Sequence, residues 1–172
     1  MTLALASMVL VLIVGVMGAI DTLYFHFWKF RLFARPQSRR EHLTHAIRAA
    51  LAGPTFMLLF VWPATGPMLW LVTLLIAADF AVMLWDLFEE PESRRSLGGI
   101  PPAEYTLHVV AASLHSAGYA LALASRPSVA WSTTTPLEMP SLVSTLAGLL
   151  WPGALLLGLA HLALMVMPVE TR

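Results

Sequence analysis

The sequence predicts an all-α, polytopic membrane bundle of about five transmembrane helices. Three observations carry that prediction. The 172-residue chain is 58% hydrophobic and only 12% charged, about half the charged fraction usual in a soluble domain, and its mean hydropathy is +0.75. Five apolar stretches reach the roughly 20 residues needed to cross a bilayer and use up nearly the whole chain, so 1–172 is read as a single transmembrane domain. The basic residues gather in alternate connections, as the loops of a multi-pass membrane protein do.

The spans follow in order. Span 1 is expected from about Leu3 to Trp28, read as uncleaved because it lacks a basic leader region and its apolar character resumes through Leu23 to Phe30. A polar connection covers Lys29 to Arg40, and span 2 runs from about His42 to Val61. The turn Pro63-Ala64-Thr65-Gly66-Pro67 leads to span 3, Met68 to Phe88. A second polar connection, Glu89 to Ala103, precedes span 4, Glu104 to Ala124. A Ser-, Thr- and Pro-rich loop, Ser125 to Pro140, precedes span 5, Leu142 to Met167, with Pro152 kinking its early part.

Orientation follows from Lys29, Arg31, Arg35, Arg39 and Arg40 in the first inner loop, Arg94 and Arg95 in the second, and Arg172 at the end. The opposite side carries only Arg126. The excess of basic residues places the first set in the cytoplasm, with the N-terminus outside. Nine of the ten basic residues are Arg, and the expected location is a bacterial inner membrane. The bilayer is the expected partner, together with a lipid-soluble substrate and a second copy or partner subunit. With zero formal net charge, nothing points to nucleic acid.

A motif recurs. Leu32-Phe33-x-x-Pro36-x-Ser38-Arg39-Arg40 returns as Leu87-Phe88-x-x-Pro91-x-Ser93-Arg94-Arg95, and Glu41-x-x-x-His45 returns as Glu104-x-x-x-His108. Spans 1–2 (about 3–62) and 3–4 (about 68–124) therefore read as duplicated, parallel helical hairpins related by an axis along the membrane normal. An extra span, about 142–167, stands outside the repeat.

Ionisable residues are costly inside a bilayer, at roughly 2.5–3.5 kcal/mol each on insertion scales, yet the spans hold many. They all fall on the basic side: His45 about 8 Å and Asp21 about 15 Å inward at 1.5 Å per residue, with Asp79 and His115 at similar depth. Glu41 and His45 are four apart and share a helix face, as do Glu104 and His108, with His115 seven residues further on. Brought together, these pairs offer an oxygen/nitrogen metal site for iron, manganese or zinc, with Asp21, Asp79 and His115 as further candidates. The set resembles the ligand arrangement of di-iron carboxylate four-helix bundles, except that three residues rather than two separate Glu and His.

Other readings use the same residues. Glu41 and Glu104 can serve as early-turn acids, Arg48 as a partner of Glu41 or Asp21, and Asp86 with Glu89 to Glu92 as a solvated edge meeting Arg39 and Arg40. His42 reads as interfacial, and His26 reaches either the site or the headgroups. Haem b between facing histidines is a further cofactor, but the adjacent acids argue against it because a bis-histidine pocket is usually apolar around the iron. A proton- or ion-translocating role is a third class. The chain has no Cys, which excludes disulfides, zinc fingers and iron–sulfur clusters. It also lacks Gly-x-Ser-x-Gly, His-Glu-x-x-His and a phosphate-binding Gly-rich loop. Because no native cysteine interferes, single cysteines report the topology. Ser38→Cys is expected to react with an impermeant maleimide from the cytoplasmic side, and Ser132→Cys from the outside; the reverse pattern inverts the orientation.

Overall fold

A computed structural model describes residues 2–165, and every regular element in it is helical. Five helices are long and apolar enough to cross a membrane. Helix α1 (Leu3–Ile20) continues without a break as a π-helix, Asp21–Lys29. Helix α2 (Arg39–Phe56) likewise ends in a π-helical stretch, Met57–Val61. Helices α3 (Pro67–Arg94), α4 (Pro102–Ala124) and α5 (Ser141–Met165) complete the set. The expected end of the last span at Met167, and Arg172, lie outside the described residues.

The turns obey local chemistry. Gly66 adopts φ 53° and donates its N–H to Ala130 O at 2.7 Å. A Cβ there would stand 2.6 Å from Thr133 O, so the tight turn before α3 requires glycine. At the end of the second span, Pro63 cannot donate to Leu59 O four residues back. The buried Arg126 guanidinium donates to that carbonyl instead. Burial without a carboxylate partner holds the Arg126 pKa below the usual arginine value. Arg126 is thus a structural cap and not a free loop charge.

Helix α3 is longer than expected. The polar run from Glu89 reads as a loop in sequence, but the helix passes through Pro91 to Arg94 before a short 3₁₀ turn, Arg95–Leu97. Local pairs hold this extension: Trp85 Nε1 donates to Glu89 Oε1 at 2.9 Å, and Arg95 reaches Glu92 Oε2 at 2.5 Å. The extension gives α3 one polar face, since Asp79, Asp86, Glu90, Ser93 and Arg94 are all buried at helical spacing. The solvated edge expected from Asp86 to Glu92 is therefore only partly solvated. Arg40 meets Glu89 at 3.8 Å on the surface, while Asp86 and Glu90 turn inward.

Helix α1 packs on α4, α2 packs on both α3 and α5, and α5 also touches α1. Successive helices 1–2 and 3–4 are not among the closely packed pairs. Each expected hairpin is splayed and grips the other one. Small residues allow the close crossings. A Cβ on Gly118 would stand 3.0 Å from Val11 Cγ2, and one on Gly158 would stand 3.1 Å from the Ala49 carbonyl oxygen. Ser7 Oγ donates across the first crossing to Gly118 O at 2.7 Å.

The interior is divided. Met8, Phe56, Leu59, Phe60, Leu69, Val72, Ile76, Tyr119 and Val143 form an apolar core at the end that carries the Pro63–Pro67 turn. Buried acids and histidines fill the other end. Outward-facing Leu74, Phe88, Leu149 and Leu156 are each more than 60% exposed, an apolar surface that water does not favour.

Two outcomes follow. Ser38 is fully buried, so the inner-side cysteine reporter belongs at Ser96, which is exposed. Gly158→Val should press on the α2 backbone and destabilise by about 1–3 kcal/mol, read as a lower thermal midpoint in detergent. Gly153→Ala, where a Cβ meets nothing within 4 Å, should leave the midpoint unchanged or higher.

Candidate metal centre

The π-helical segment of the first span determines the geometry of the cluster. In an α-helix, residues five apart are rotated by about 140° from one another. The i→i+5 bonding of a π-helix brings them back to nearly one face. Asp21 and His26, five apart, both point inward here, with Asp21 Oδ2 3.3 Å from His26 Nε2. Thr22 and Phe25 share this buried face.

His26 stands at the centre of the cluster and is 1% exposed. Its Nε2 lies 3.6 Å from Glu41 Oε1 on α2 and 3.8 Å from Glu104 Oε1 on α4. The His45 ring packs edge-on against it at 4.5 Å between centroids. His108 is clamped between two carboxylates, with Nε2 3.1 Å from Asp21 Oδ1 and Nδ1 2.8 Å from Glu90 Oε1. His45 Nε2 is 3.4 Å from Asp86 Oδ2, and that carboxylate's other oxygen accepts from Thr44 Oγ1.

Arg94 closes the cluster from α3. Its side chain is fully buried, and it donates to Glu41 Oε2 at 2.5 Å, to Glu104 Oε1 and to Ser93 Oγ at 2.9 Å. A further N–H approaches His26 Nε2 at 3.3 Å. Each glutamate thus gives one oxygen to the guanidinium. The remaining oxygens, Glu41 Oε1 and Glu104 Oε2, are buried and have no hydrogen-bond partner among the described residues.

Of the residues expected to form a site, Asp21, Glu41, His45, Glu104 and His108 surround His26. Asp79 and His115 stand apart from them. His115 Nε2 lies 2.6 Å from Asp79 Oδ2, and Arg48 Nε donates to Asp79 Oδ1 at 3.2 Å. Arg48 thus pairs with neither Glu41 nor Asp21. His42 is buried at 3% exposure, not interfacial, with its ring 5.4 Å from that of His161. His161 in turn contacts Thr22 Oγ1 at 3.2 Å.

Sequence reasoning missed two central residues. Arg94 falls in the expected polar connection Glu89 to Ala103, and His26 is expected to reach either the site or the headgroups. The helical extension of α3 and the π-helical segment of the first span turn both inward. One trace was present: Asp21 precedes Leu32 by eleven residues, whereas Asp79 precedes Leu87 by only eight. Those extra residues lie across the π-helical segment and the bend after it.

The buried His/Asp/Glu cluster can hold a metal ion. Two overlapping sets qualify, Asp21-His26-Glu104-His108 and His26-Glu41-His45, with ligand atoms within 4.8 Å of one another. That spread is about twice a metal–ligand bond of roughly 2.0–2.3 Å. Comparison with known proteins finds no match to a protein-family model, a curated protein or a solved structure.

Removing the central cation tests how the cluster is held. Arg94→Met should leave Glu41 and Glu104 as buried, uncompensated acids and cost about 3–5 kcal/mol. Arg94→Lys should recover little, since one ammonium cannot present the guanidinium fork to two carboxylates. Thermal unfolding in detergent measures both, and wild-type stability in Arg94→Met would contradict this account.

Proposed function

We propose that this chain is a multi-pass inner-membrane protein with an intramembrane metal centre near its cytoplasmic face, acting as an oxidoreductase on a lipid-soluble substrate. The apolar exterior supports insertion in the bilayer. Lys29, Arg31, Arg35, Arg39, Arg40 and Arg95 support a cytoplasmic location for the cluster end, even with Arg94 withdrawn from the loop count. The recurring Pro-x-Ser-Arg-Arg and Glu-x-x-x-His motifs support a duplicated hairpin. The reciprocal packing of α1 on α4 and of α3 on α2 is what a twofold relation of two such hairpins requires.

The observation that carries the metal reading is an imbalance of charge. Asp21, Glu41, Asp79, Asp86, Glu90 and Glu104 are all buried at 6% exposure or less. Arg94 and Arg48 supply the guanidiniums seen to pair with them among the described residues. Buried charges are paired or coordinate metals, and imidazoles beside the excess carboxylates supply nitrogen ligands. Mixed oxygen and nitrogen donors suit iron, manganese or zinc. In this reading Asp21, His26, Glu104 and His108 form the first ligand set, with Glu41 and His45 beside it. Arg94 acts as the outer partner that ligating carboxylates commonly have. Iron or manganese would supply electron transfer, and zinc would not. Carboxylates crowd His26, His45 and His108, an environment less suited to haem b.

One observation favours a second reading. Arg94 takes an oxygen from both glutamates of the repeated motif, as a structural ion-pair knot would. The chain would then be a non-enzymatic membrane protein whose cluster holds helices or a partner subunit. Elemental analysis of protein purified without chelator decides between them. Stoichiometric iron, manganese or zinc is expected, lost in His26→Ala and His108→Ala while the protein stays folded. A wild-type protein that is metal-free, and stays so after incubation with Fe(II), Mn(II) and Zn(II), leaves the structural knot. A Soret band points to haem.

A further inference from the structure

We infer that the cluster is reached sideways from the bilayer, through the gap between α3 and α4, by a lipid with an uncharged hydroxyl or carbonyl head. The inference rests on the proposed membrane insertion of the bundle but does not require the metal. A cavity of about 550 Å³ lies between the helices, within the size range of small-molecule sites. Val14 and Met17 of α1, Ala49 and Ala52 of α2, and Met83 of α3 give it apolar walls. His45, His108 and His115 stand on the same surface, beside the carboxylates.

The mouth is identified by exposure. Every lining residue that is exposed belongs to α3 or α4: Leu84 and Leu87 on one side, Tyr105, Val109 and Ser113 on the other. The lining residues of α1, α2 and α5 are buried or half-buried. Helix α5 touches both α1 and α2 and so covers that side of the bundle, while among the described residues α3 and α4 are closely packed neither on each other nor on α5. Those two helices are joined by side-chain bridges, Arg94 to Glu104, Glu90 to His108 and Asp79 to His115. The rim is mainly apolar and lies within two spans, so what reaches it from the bilayer is a hydrocarbon-bearing molecule and not a solute.

The wall chemistry selects the head. Asp21, Asp79, Asp86 and Glu90 face the cavity with Arg48 as the one guanidinium, which is itself engaged by Asp79. A carboxylate or phosphate head would be brought beside like charges in a low-dielectric site. Arg48 and Arg94 are already engaged by carboxylates, so among the described residues of the cavity lining no unengaged guanidinium meets such a head. Imidazoles can donate to or accept from a hydroxyl or carbonyl.

Three photoactivatable probes of equal chain length test this: diazirine-bearing hexadecanol, hexadecanoic acid and hexadecylamine, applied to the whole protein in detergent or nanodiscs. Hexadecanol should label Leu84, Leu87, Val109 and Ala112 about tenfold over hexadecanoic acid, as the cost of burying an unpaired charge implies, and more strongly than hexadecylamine, because Asp21, Asp79, Asp86 and Glu90 already meet His108, His115, Thr44 and Arg48. Ala112→Trp should abolish this labelling and leave the metal content unchanged. Since that variant can fail to fold, a second arm uses Leu84→Cys/Val109→Cys in the cysteine-free chain. Bridging the pair with a bismaleimide after folding should remove labelling that was present before. Equal labelling by all three probes overturns the inference, as does stronger labelling by the acid or the amine, or labelling that survives the bridge. Disulfide-linked dimers through Leu84→Cys with no probe entry also overturn it, by showing that a second copy covers the gap. Labelled protein without metal would sink the metal reading and leave the lateral entry standing.

Discussion

Arg94 donates to Glu41 on α2 and Glu104 on α4 from a position with no solvent exposure, and the polar end of the bundle is arranged around that pairing. A lone guanidinium is prohibitively expensive in an apolar interior, and a lone carboxylate equally so. The three groups are tolerated only together, which fixes α2, α3 and α4 at one relative depth. Helix α3 must stay helical past Pro91 to deliver the guanidinium, although proline removes a backbone bond there. The first span must widen into a π-helix to bring Asp21 and His26 to the same place. Apolar packing organises the other half of the molecule. The bundle is thus held by two mechanisms, side-chain interdigitation at one end and charge pairing at the other.

What the sequence disclosed depended on whether a residue's role is encoded in helical spacing. The five helices were legible from apolar length, but charge was mistaken for solvent exposure at their polar ends, from Glu89 to Arg94 and at Arg39 and Arg40, where α2 already begins. Glu41 with His45 and Glu104 with His108 were legible because a spacing of four residues fixes a common face. Asp79 and His115 pair with each other, and their distance from the centre depends on how α3 and α4 cross, which no one-dimensional pattern carries. Arg94 was hidden because a buried arginine looks like any loop arginine until its two acids are located on other helices. His26 was hidden because the sequence does not announce a π-helix. His42 looked interfacial beside Arg40 and Glu41, yet it is packed under α5, a contact between segments more than a hundred residues apart.

The recurring sequence motif ends in two different surroundings. Arg39 and Arg94 occupy matched positions after the same Pro-x-Ser, yet Arg39 is exposed and Arg94 has no exposure at all. Glu41 and Glu104 each give an oxygen to the one Arg94 guanidinium. The first span, through its π-helical segment, sends His26 into the space next to Arg94. The fifth helix packs on α1 and α2, whereas α3 and α4 are not among the closely packed pairs. Both features bear on the same cavity: His26 stands among the acids at one end, and the exposed lining residues belong to α3 and α4. Carboxylates crowded around imidazoles, with exposed apolar residues of α3 and α4 beside them, are the features on which the proposed cation and lipid sites rest.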